Sequence, residues 1–419
     1  MSDKSKNPFA GFTSSIVHSD RLSEVEHGSL HKPIHATVAY GYDDARDLAA
    51  VFQGQRTGYS YGRQINPTVE ALETKLNRME RGLASVCFGT GMAAIGTTLF
   101  SLLRRGDHLV SSSFLFGNTN SLLNSFTTQG IDVTFVDATD ASQVEGAIRP
   151  ETKMVFVETI ANPRTQVSDL KGIGEVCNAR GIVYVVDNTM TSPYLFQPVD
   201  VDASLVVNSL TKYICGHGNA LGGAVTELGN YDWTQFDNIY PEYQGADASR
   251  WGITQIKKKG LRDFGAALGP EAAHHIAMGA ETLGLRLTQQ CTSALALCEL
   301  LDAHPLVAKV YYPGLSHHPQ HQRVKDLFRL PGGLFSFELV DSVDVFDFLN
   351  ALQLIVKSSN LGDNRTLAIP VAHTIYFEMG AERRASMGIN DSLIRISPGI
   401  EDLDDLVHDF SQALDQQRV

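Results

Sequence analysis

Residues 182–212 read IVYVVDNTMTSPYLFQPVDVDASLVVNSLTK, and this stretch decides the fold. It contains two apolar, β-branched runs, IVYVV and SLVV, each of a length typical of a strand that is buried on both faces. Asp187 closes the first run, and Ser209, Thr211 and Lys212 follow the second. The carboxyl ends of successive parallel strands meet at one edge of a sheet, where α/β proteins bind their ligands. The stretch therefore predicts a parallel sheet with an acid and a lysine facing one crevice.

The same alternation continues outside this stretch. The apolar runs SVCF, HLVSS, DVTFV and MVFVE precede it, and helical patterns such as GMAAIGTTLFSLL and DLKGIGEVCNAR separate the runs. Apolar strands that alternate with helices predict an α/β fold, with a mostly parallel sheet and helices on both faces. Upstream, NPTVEALETKLNRMERG predicts a helix with Pro67 in its first turn and Gly82 as its C-cap signal.

The chain changes character towards both ends. Residues 1–65 are rich in Gly, His, Ser and Tyr with weak periodicity, which indicates an extended arm. After about residue 275 a long helical stretch, MGAETLGLRLTQQCTSALALCELLDAH, leads to strands LFSFELV and LIRISPG, with one helix between them and another at the end. Because 419 residues exceed the usual size of one core, we expect an arm over 1–65, a main domain over 66–275 and a smaller α+β domain over 276–419.

The composition argues against several classes of function. A net charge of −13 disfavours a general binder of nucleic acid or anionic membranes, whose non-specific affinity comes from Lys and Arg. Five cysteines without a CxxC pair predict neither a disulfide framework nor a zinc ribbon. The N-terminus lacks the apolar run of a signal peptide, and no stretch is apolar enough to span a membrane. We expect a cytoplasmic protein that acts on a small molecule.

Lys212 and Asp187 are the first candidates for chemistry. A lysine at a strand end, with apolar residues on one side and hydroxyls beside it, is suited to a lowered pKa and to imine formation with an aldehyde. Asp187, at the end of the preceding strand, is suited to pairing with the protonated pyridine nitrogen of a cofactor. A surface lysine and a turn-capping aspartate explain each residue alone equally well. Their joint occurrence favours a shared ligand site.

The turn Gly89-Thr90-Gly91-Met92 indicates a phosphate site. It joins strand SVCF to a helical pattern, so that free backbone N–H groups and the helix dipole would face an anion. Ser209 and Thr211 would add hydroxyl donors to the same group. A tight turn that needs glycine explains the pattern equally well.

Two other motifs fit parts of these segments. GTGMAA matches the dinucleotide fingerprint G-x-G-x-x-A, but Asp107, at the distance expected for the ribose contact, does not end a second strand. Residues 209–212 match S-x-x-K, the nucleophile motif of penicillin-binding enzymes, but the chain contains neither S-D-N nor K-T-G. We therefore favour the reading with Lys212 as an imine-forming lysine.

In these residues the chain resembles the pyridoxal 5′-phosphate (PLP) enzymes of cysteine and methionine metabolism. That family includes cystathionine γ-synthase, cystathionine γ-lyase, methionine γ-lyase and O-acetylhomoserine sulfhydrylase. The resemblance covers nearly the whole chain and rests on YGR with NPT, GTGMAAI, ETIANP, VVDNT, NSLTKYICGHGN, LRDFGAAL, GAETLGLR and RISPGIED, in the family's order and spacing. It implies fold type I of the PLP-dependent transferases, PLP as cofactor and an amino-acid substrate.

The resemblance also implies roles for individual residues. Lys212 would carry PLP as a Schiff base, and Asp187 would pair with the pyridinium nitrogen. The remaining implied contacts fall into four groups: Thr189, Asn162 and the stacking Phe116 at the ring; Gly91, Met92, Ser209 and Thr211 at the phosphate; Tyr61 and Arg63 reaching the phosphate of a neighbouring subunit; and Asn360 and Arg395 at the substrate. A homo-oligomer follows, a dimer with shared active sites that assembles further into a tetramer. For Arg395, a surface ion pair explains the residue equally well without the resemblance.

Departures from the family pattern bear on the reaction. Most members carry a tyrosine where this chain has Phe116, in a Y-G-x-T context, and methionine γ-lyases tend to carry a cysteine where it has Asn118. The missing phenol would penalise a poor thiolate leaving group more than a carboxylate. We therefore expect γ-replacement on an O-acylated homoserine by a sulfur nucleophile. A cystathionine or methionine γ-lyase is the alternative, and a PLP-binding protein without turnover is the alternative from another class.

Three further segments carry open expectations. Asn360 replaces the family's usual serine, and Asp363 and Arg365 nearby either face the substrate or form a solvated turn. The aromatic segment 228–262 is either a lid over the pocket or a packing surface between subunits. The histidines at 317, 318 and 321 are expected in a solvated loop, and no metal site is expected.

Overall fold

The computed structural model describes residues 11–23 and 25–417. The expectations for the first ten residues, including the absence of a signal peptide, lie outside the described residues. No helix in the described ranges is long and apolar enough to cross a membrane.

A seven-stranded sheet forms the larger part of the molecule. Its strands are β1 Ala84–Phe88, β2 His108–Ser112, β3 Asp132–Val136, β4 Thr152–Glu158, β5 Val183–Asp187, β6 Leu205–Ser209 and β7 Gly223–Glu227, in the order β1-β7-β6-β5-β4-β2-β3. Six of these strands run in one direction, and β7 runs in the opposite direction between β1 and β6. The six predicted strands and the mostly parallel sheet are confirmed. Strand β7 was not predicted, because it begins within the glycine-rich stretch after Lys212.

Helices cover both faces of this sheet. They are α1 Phe12–Val17, α3 Pro67–Met79, α4 Gly91–Leu102, α5 Gly117–Thr127, α6 Ala141–Ala147, α7 Leu170–Arg180, α8 Ser192–Leu195, α9 Trp251–Gln255 and α10 Arg262–Phe264; helix α2 Ala45–Phe52 lies in the arm and has no buried residue. In β5, Tyr184 and Val186 belong to one apolar cluster, whereas Val183 and Val185 belong to another on the opposite face. Because each strand is buried on both sides, its sequence is continuously apolar rather than alternating.

Helix α3 begins as predicted but ends differently. Asn66 caps its first turn by accepting from the N–H groups of Thr68 and Val69, and Pro67 follows. At the other end the left-handed residue is Arg81, with φ 54°, and Gly82 donates its N–H to Asn77. Gly82 is therefore not the capping residue that the sequence indicated. It is required for space, since a Cβ there would lie 2.3 Å from Thr226 Cγ2.

A second, smaller sheet follows, as expected. Its strands are β8 Val307–Tyr311, β9 Phe335–Leu339, β10 Val356–Lys357, β11 Leu367–Pro370 and β12 Leu393–Ser397, in the order β10-β11-β12-β9-β8. The helices in this part of the chain are α11 Pro270–Glu281, α12 Leu283–Asp302, α13 His321–Leu327, α14 Val345–Ala351, α15 Ala381–Ser386 and α16 Leu403–Asp415. Of these, α12, α14 and α16 contribute to the core of the smaller sheet, whereas α11 packs against α3 and the buried residue of α13 belongs to the core of the main sheet. The long helical stretch predicted over 278–304 is two helices, interrupted at Thr282, where the backbone leaves the helical region.

The aromatic residues at the beginning of segment 228–262 form neither a lid nor an exposed packing surface. Trp233 is fully buried and packs edge-on against Tyr231 and Phe236. Its indole N–H donates to the buried Glu227 at 3.0 Å. These rings belong to the core beneath the main sheet, so both expectations for this part of the segment were wrong.

Candidate active site

Most of the predicted site residues line one pocket. The pocket has a volume of about 320 Å³ and lies at the carboxyl ends of β4, β5 and β6, beside the N-terminus of α4. The predicted residues among its lining are Gly91, Met92, Phe116, Asn162, Asp187, Thr189, Ser209, Thr211, Lys212 and Arg395. A larger surface cleft of about 550 Å³ contains none of them.

Lys212 reaches the pocket from the loop after β6. Its side chain is mostly buried, and its Nζ donates to Asn360 Oδ1 at 2.8 Å. Burial and, to a smaller extent, the positive charge of Arg395 together lower the pKa of this amine to about 8. An amine with a pKa this close to neutral can exchange a proton at physiological pH, unlike a surface lysine.

Two carboxyl groups lie side by side at the ends of β4 and β5. Asp187 is partnered in register with Glu158, and both line the pocket. Asp187 Oδ1 accepts from the N–H of Thr189 at 2.9 Å. Burial raises the pKa of Asp187, whereas hydrogen bonding by Thr189 lowers it. An adjacent cation would therefore stabilise the ionised form of Asp187.

The N-terminus of α4 forms one end of the pocket. Thr90 caps this helix by accepting from Ala93 N–H at 3.0 Å, and Gly91 is the first helical residue. A Cβ on Gly91 would lie 2.8 Å from Ser209 Cβ, so only glycine brings the helix this close to the end of β6. Thr211 Oγ1 accepts from the N–H of Gly222 at 3.0 Å. A helix N-terminus lined by hydroxyl groups is suited to a phosphate.

Arg395 lies on β12 of the smaller sheet and points into the pocket between the two sheets. It is 2% exposed, which rules out the surface ion pair that the sequence left open. Its Nη2 donates to the carbonyl oxygens of Ser359 and Asn360 at 2.8 and 2.9 Å, and its Nη1 lies 3.4 Å from Asn162 Oδ1. No acidic side chain of the described residues pairs with it there, and a planar guanidinium of this kind binds carboxylates well.

Some predicted residues lie elsewhere. Tyr61 is exposed, with the guanidinium of Arg63 over its ring at 5.4 Å, and neither lines the pocket of its own chain. Asp363 Oδ1 accepts from Arg365 Nε at 2.8 Å. Because these two residues bind each other and do not line the pocket, a substrate-facing role is not supported for either.

The described residues contain one group of potential metal ligands outside the pocket: Asp20, His31 and Glu281. The ammonium of the fully buried Lys75 lies 2.8 Å from Glu281 Oε1 and 3.8 Å from Asp20 Oδ1. A side-chain cation therefore already neutralises this group, and we assign it no metal. The histidines at 317 and 318 lie in a loop before α13, as expected, while His321 begins that helix.

Glu158 is the pocket residue that sequence reasoning missed. It closes the apolar run MVFVE in the same way that Asp187 closes IVYVVD, so the signal was present in the sequence. The apolar side of the pocket was also not predicted in full; it is formed by Ile95, Met190, Leu221, Leu361 and Ile375.

The pocket fits PLP at each of its polar ends. The glycine-dependent cradle at α4 suits a phosphate, Asp187 suits a pyridinium nitrogen, and the amine of Lys212 suits an aldehyde. Apolar side chains between these ends suit an aromatic ring. These features define a PLP-dependent enzyme of fold type I.

Comparisons with known proteins agree with this class. The family model for Cys/Met metabolism PLP-dependent enzymes matches residues 13–415, and the chain belongs to that family. It is 34% identical over 411 residues to an L-methionine γ-lyase of Pseudomonas putida, covering 97% of this chain and 98% of the relative. It is also 34% identical over 415 residues to a homocysteine synthase of Schizosaccharomyces pombe, covering 95% and 97% respectively.

A solved structure extends the likeness to the fold. A putative O-acetylhomoserine (thiol)-lyase of Campylobacter jejuni matches with a TM-score of 0.90 at 30% identity, covering 97% of this chain and all of that one. That structure contains an N′-pyridoxyl-lysine-5′-monophosphate. The expected family, fold class and cofactor are thus confirmed. The chain is a PLP-dependent carbon–sulfur lyase or γ-replacement enzyme.

Proposed function

We propose that this enzyme catalyses γ-replacement on an O-acylated homoserine with a sulfur nucleophile. The observation that carries the proposal is that Lys212 and Arg395 line one pocket together with Phe116, beside the expected position of the PLP ring. The amine and the guanidinium suit an α-amino acid, and the apolar ring of Phe116 offers no proton to a leaving group. A carboxylate leaving group needs little such help, whereas a thiolate needs more.

Each polar residue then has a task. Arg395 binds the α-carboxylate through its planar fork. Lys212 carries PLP in the resting enzyme, and its Nζ then holds and returns the α-proton of the substrate. Asp187 maintains a positive charge on the pyridine nitrogen, the α4 cradle with Ser209 and Thr211 binds the phosphate, and Asn162 and Thr189 lie beside the ring. PLP, when bound, supplies an electron sink for the carbanion at the α-carbon.

We further propose that Tyr61 and Arg63 serve the active site of a second copy, in a dimer that assembles into a tetramer. Both residues lie outside their own pocket, and Tyr61 is exposed. The arm over residues 1–65 would then belong functionally to the neighbouring subunit, next to a cofactor domain over 66–275 and a smaller domain over 276–419. The cytoplasm remains our expectation for its location.

A γ-lyase acting on methionine or cystathionine is the second candidate. It is favoured by the names of several relatives, which include L-methionine γ-lyases at 32–34% identity. A PLP-binding protein without turnover is disfavoured, since Lys212, Asp187 and Arg395 are all present and face one pocket.

The visible spectrum of the purified protein tests the proposal. The wild type should show the absorption band of bound PLP, and Lys212→Ala should lose the lysine-dependent form of that band. O-acetylhomoserine with sulfide should then release acetate faster than methionine or cystathionine releases a 2-oxo acid. If Lys212→Ala retains the wild-type spectrum, the assignment of Lys212 is wrong; if methionine is the better substrate, the lyase is the correct function.

Phe116→Tyr tests the reason for preferring replacement. Restoring the phenol should raise γ-elimination from methionine more than acetate release from O-acetylhomoserine, because the thiolate gains more from a proton donor. Phe114→Tyr, which adds the same hydroxyl two residues away from the pocket lining, is the matched control. An equal change in both reactions would remove the basis for the ranking.

A further inference from the structure

Glu158 is a second acid at the floor of the pocket, and the proposed mechanism does not use it. It is the last residue of β4, and its register partner on β5 is Asp187. Its side chain is 6% exposed and lines the pocket. Within the described residues no cation lowers its pKa; the influences on it are burial, the charge of Asp187 and one backbone hydrogen bond.

That hydrogen bond connects Glu158 to Phe116. The N–H of Phe116 donates to Glu158 Oε1 at 2.7 Å, and Phe116 is the residue that precedes the first turn of α5. The main chain at this point sets where the phenylalanine ring projects into the pocket. A buried N–H left without an acceptor is costly, so the segment would shift if Glu158 were removed.

The charge state of Glu158 follows from its surroundings. Burial and the neighbouring charge of Asp187 both raise the pKa of Glu158 well above its usual value. Burial raises the pKa of Asp187 as well, but hydrogen bonding by Thr189 lowers it, so the ionised form of Asp187 is the better stabilised of the two. Tyr376 is the titratable group on the smaller sheet's side; the charge of Glu158 raises the pKa of Tyr376, whose hydroxyl donates to the carbonyl oxygen of Asn162. The single hydrogen bond from the N–H of Phe116 lowers the pKa of Glu158, but burial and the charge of Asp187 outweigh it.

We propose that Glu158 is a positioning residue of the cofactor site: as a neutral acid, it fixes Phe116 through the main chain and leaves Asp187 as the single ionised carboxylate of the pair. This inference rests on the proposed placement of PLP between Phe116 and Asp187. It adds a task for the protein scaffold that neither Lys212 nor Arg395 performs.

Glu158→Gln and Glu158→Leu separate the two halves of the proposal. Gln keeps the shape, the neutral charge and an oxygen acceptor for the N–H of Phe116, whereas Leu keeps only the approximate volume. In the holoenzyme we expect Gln to retain the dissociation constant for PLP within about twofold. Leu should weaken PLP binding by about tenfold, the equivalent of one buried hydrogen bond. The induced circular dichroism of the visible band should fall in the Leu variant alone.

An infrared difference spectrum between the wild type and Glu158→Gln tests the charge directly. A neutral Glu158 should contribute the carbonyl band of a protonated carboxyl group, and this measurement does not require bound cofactor. Carboxylate bands in its place would overturn the neutral acid, as would a Gln variant that loses PLP as strongly as Leu does. Unchanged binding and dichroism in the Leu variant would overturn the positioning role.

Controls keep this inference separate from the proposed function. Glu227→Gln changes another buried strand-end glutamate, outside the pocket, and should leave the visible dichroism unchanged. If Glu158→Leu does not fold, as judged by thermal unfolding, the Gln variant and the infrared spectrum still decide. If the wild type binds no PLP at all, the proposed function fails, while the infrared band still decides whether Glu158 is neutral.

Discussion

Replacing Arg395 with Gln tests the proposed recognition of the substrate. The guanidinium is 2% exposed, and its Nη2 is fixed by the carbonyl oxygens of Ser359 and Asn360. A substrate carboxylate bound in this buried position would lose its cationic partner in the variant. Breaking a buried, hydrogen-bonded charge pair costs about 3 kcal/mol, which corresponds to a loss of roughly 10²-fold in kcat/KM.

The assay compares the wild type and the variant on two substrates. Kinetics of acetate release are measured with O-acetylhomoserine and with its α-carboxamide. The wild type should prefer the carboxylate strongly, whereas Arg395→Gln should prefer it little, because the charge interaction has been removed. Arg395→Lys keeps the positive charge without the planar fork, so we expect it to recover part of the preference.

Arg365→Gln is the matched control. Arg365 is the same residue type, lies outside the pocket and pairs with Asp363 while its side chain is 60% exposed. Because the guanidinium of Arg365 is exposed to water, its interaction with Asp363 is screened and contributes little, so kcat/KM should change little. If Arg395→Gln lowers kcat/KM equally for the carboxylate and the carboxamide, Arg395 acts through the fold and the clamp is refuted.

Three further predictions concern Lys212, two buried glutamates and Gly91. In protein stripped of PLP, Lys212 should react with an amine-directed reagent faster than surface lysines do near pH 8, because burial and the charge of Arg395 lower its pKa to about 8. Mass spectrometry would measure the extent of labelling at each lysine, and labelling of Lys212 no faster than the average would contradict the prediction. Burial raises the pKa of Glu80 to about 7 and that of Glu227 to about 8, so the folded state holds these protons more tightly than the unfolded state does. The contribution of both glutamates to the free energy of unfolding is therefore complete below about pH 4.5 and is lost as the pH rises to 7–8, by about 3 kcal/mol for Glu80. Glu80→Gln should flatten the dependence of this free energy on pH, and an unchanged slope would refute the assignment. Gly91→Ala should weaken PLP binding by at least about tenfold, since its Cβ would lie 2.8 Å from Ser209 Cβ. Gly96→Ala changes another glycine of α4, where the new Cβ would lie 3.7 Å from its nearest neighbour, Leu122 Cδ2, and it should bind PLP normally in the same titration.

Local sequence signals were sufficient for the central sheet. The runs that form β4, β5 and β6 are largely apolar and end in polar residues, so strand type, parallel packing and the edge that carries Asp187 and Lys212 could all be predicted. The same held for the start of α3, where the N-cap is formed within four consecutive residues, from Asn66 to Val69. Such features depend on neighbours in sequence, which a linear pattern records.

Other features depend on partners far along the chain. Gly82 is required by contact with Thr226, and Trp233 is buried against the sheet where composition suggested a lid. The contact between Lys212 and Asn360 joins residues 148 positions apart. No local pattern encodes these contacts, because the first two arise when distant segments pack within the main sheet's core and the third arises when the smaller sheet packs against the main sheet.

The sequence by itself determined which functional residues follow which strands: an acid after one strand, and hydroxyl groups and a lysine after the next. It also determined the family to which this pattern belongs. Only the tertiary structure decided which side chains share the pocket. It buried Arg395 without an acidic hydrogen-bond partner among the described residues, paired Asp363 with Arg365, and placed the carboxyl group of Glu158 within hydrogen-bond distance of the N–H of Phe116. The physical reason is that burial and charge pairing are properties of the packed interior, where each group's pKa and partners are set by residues that are distant in the chain.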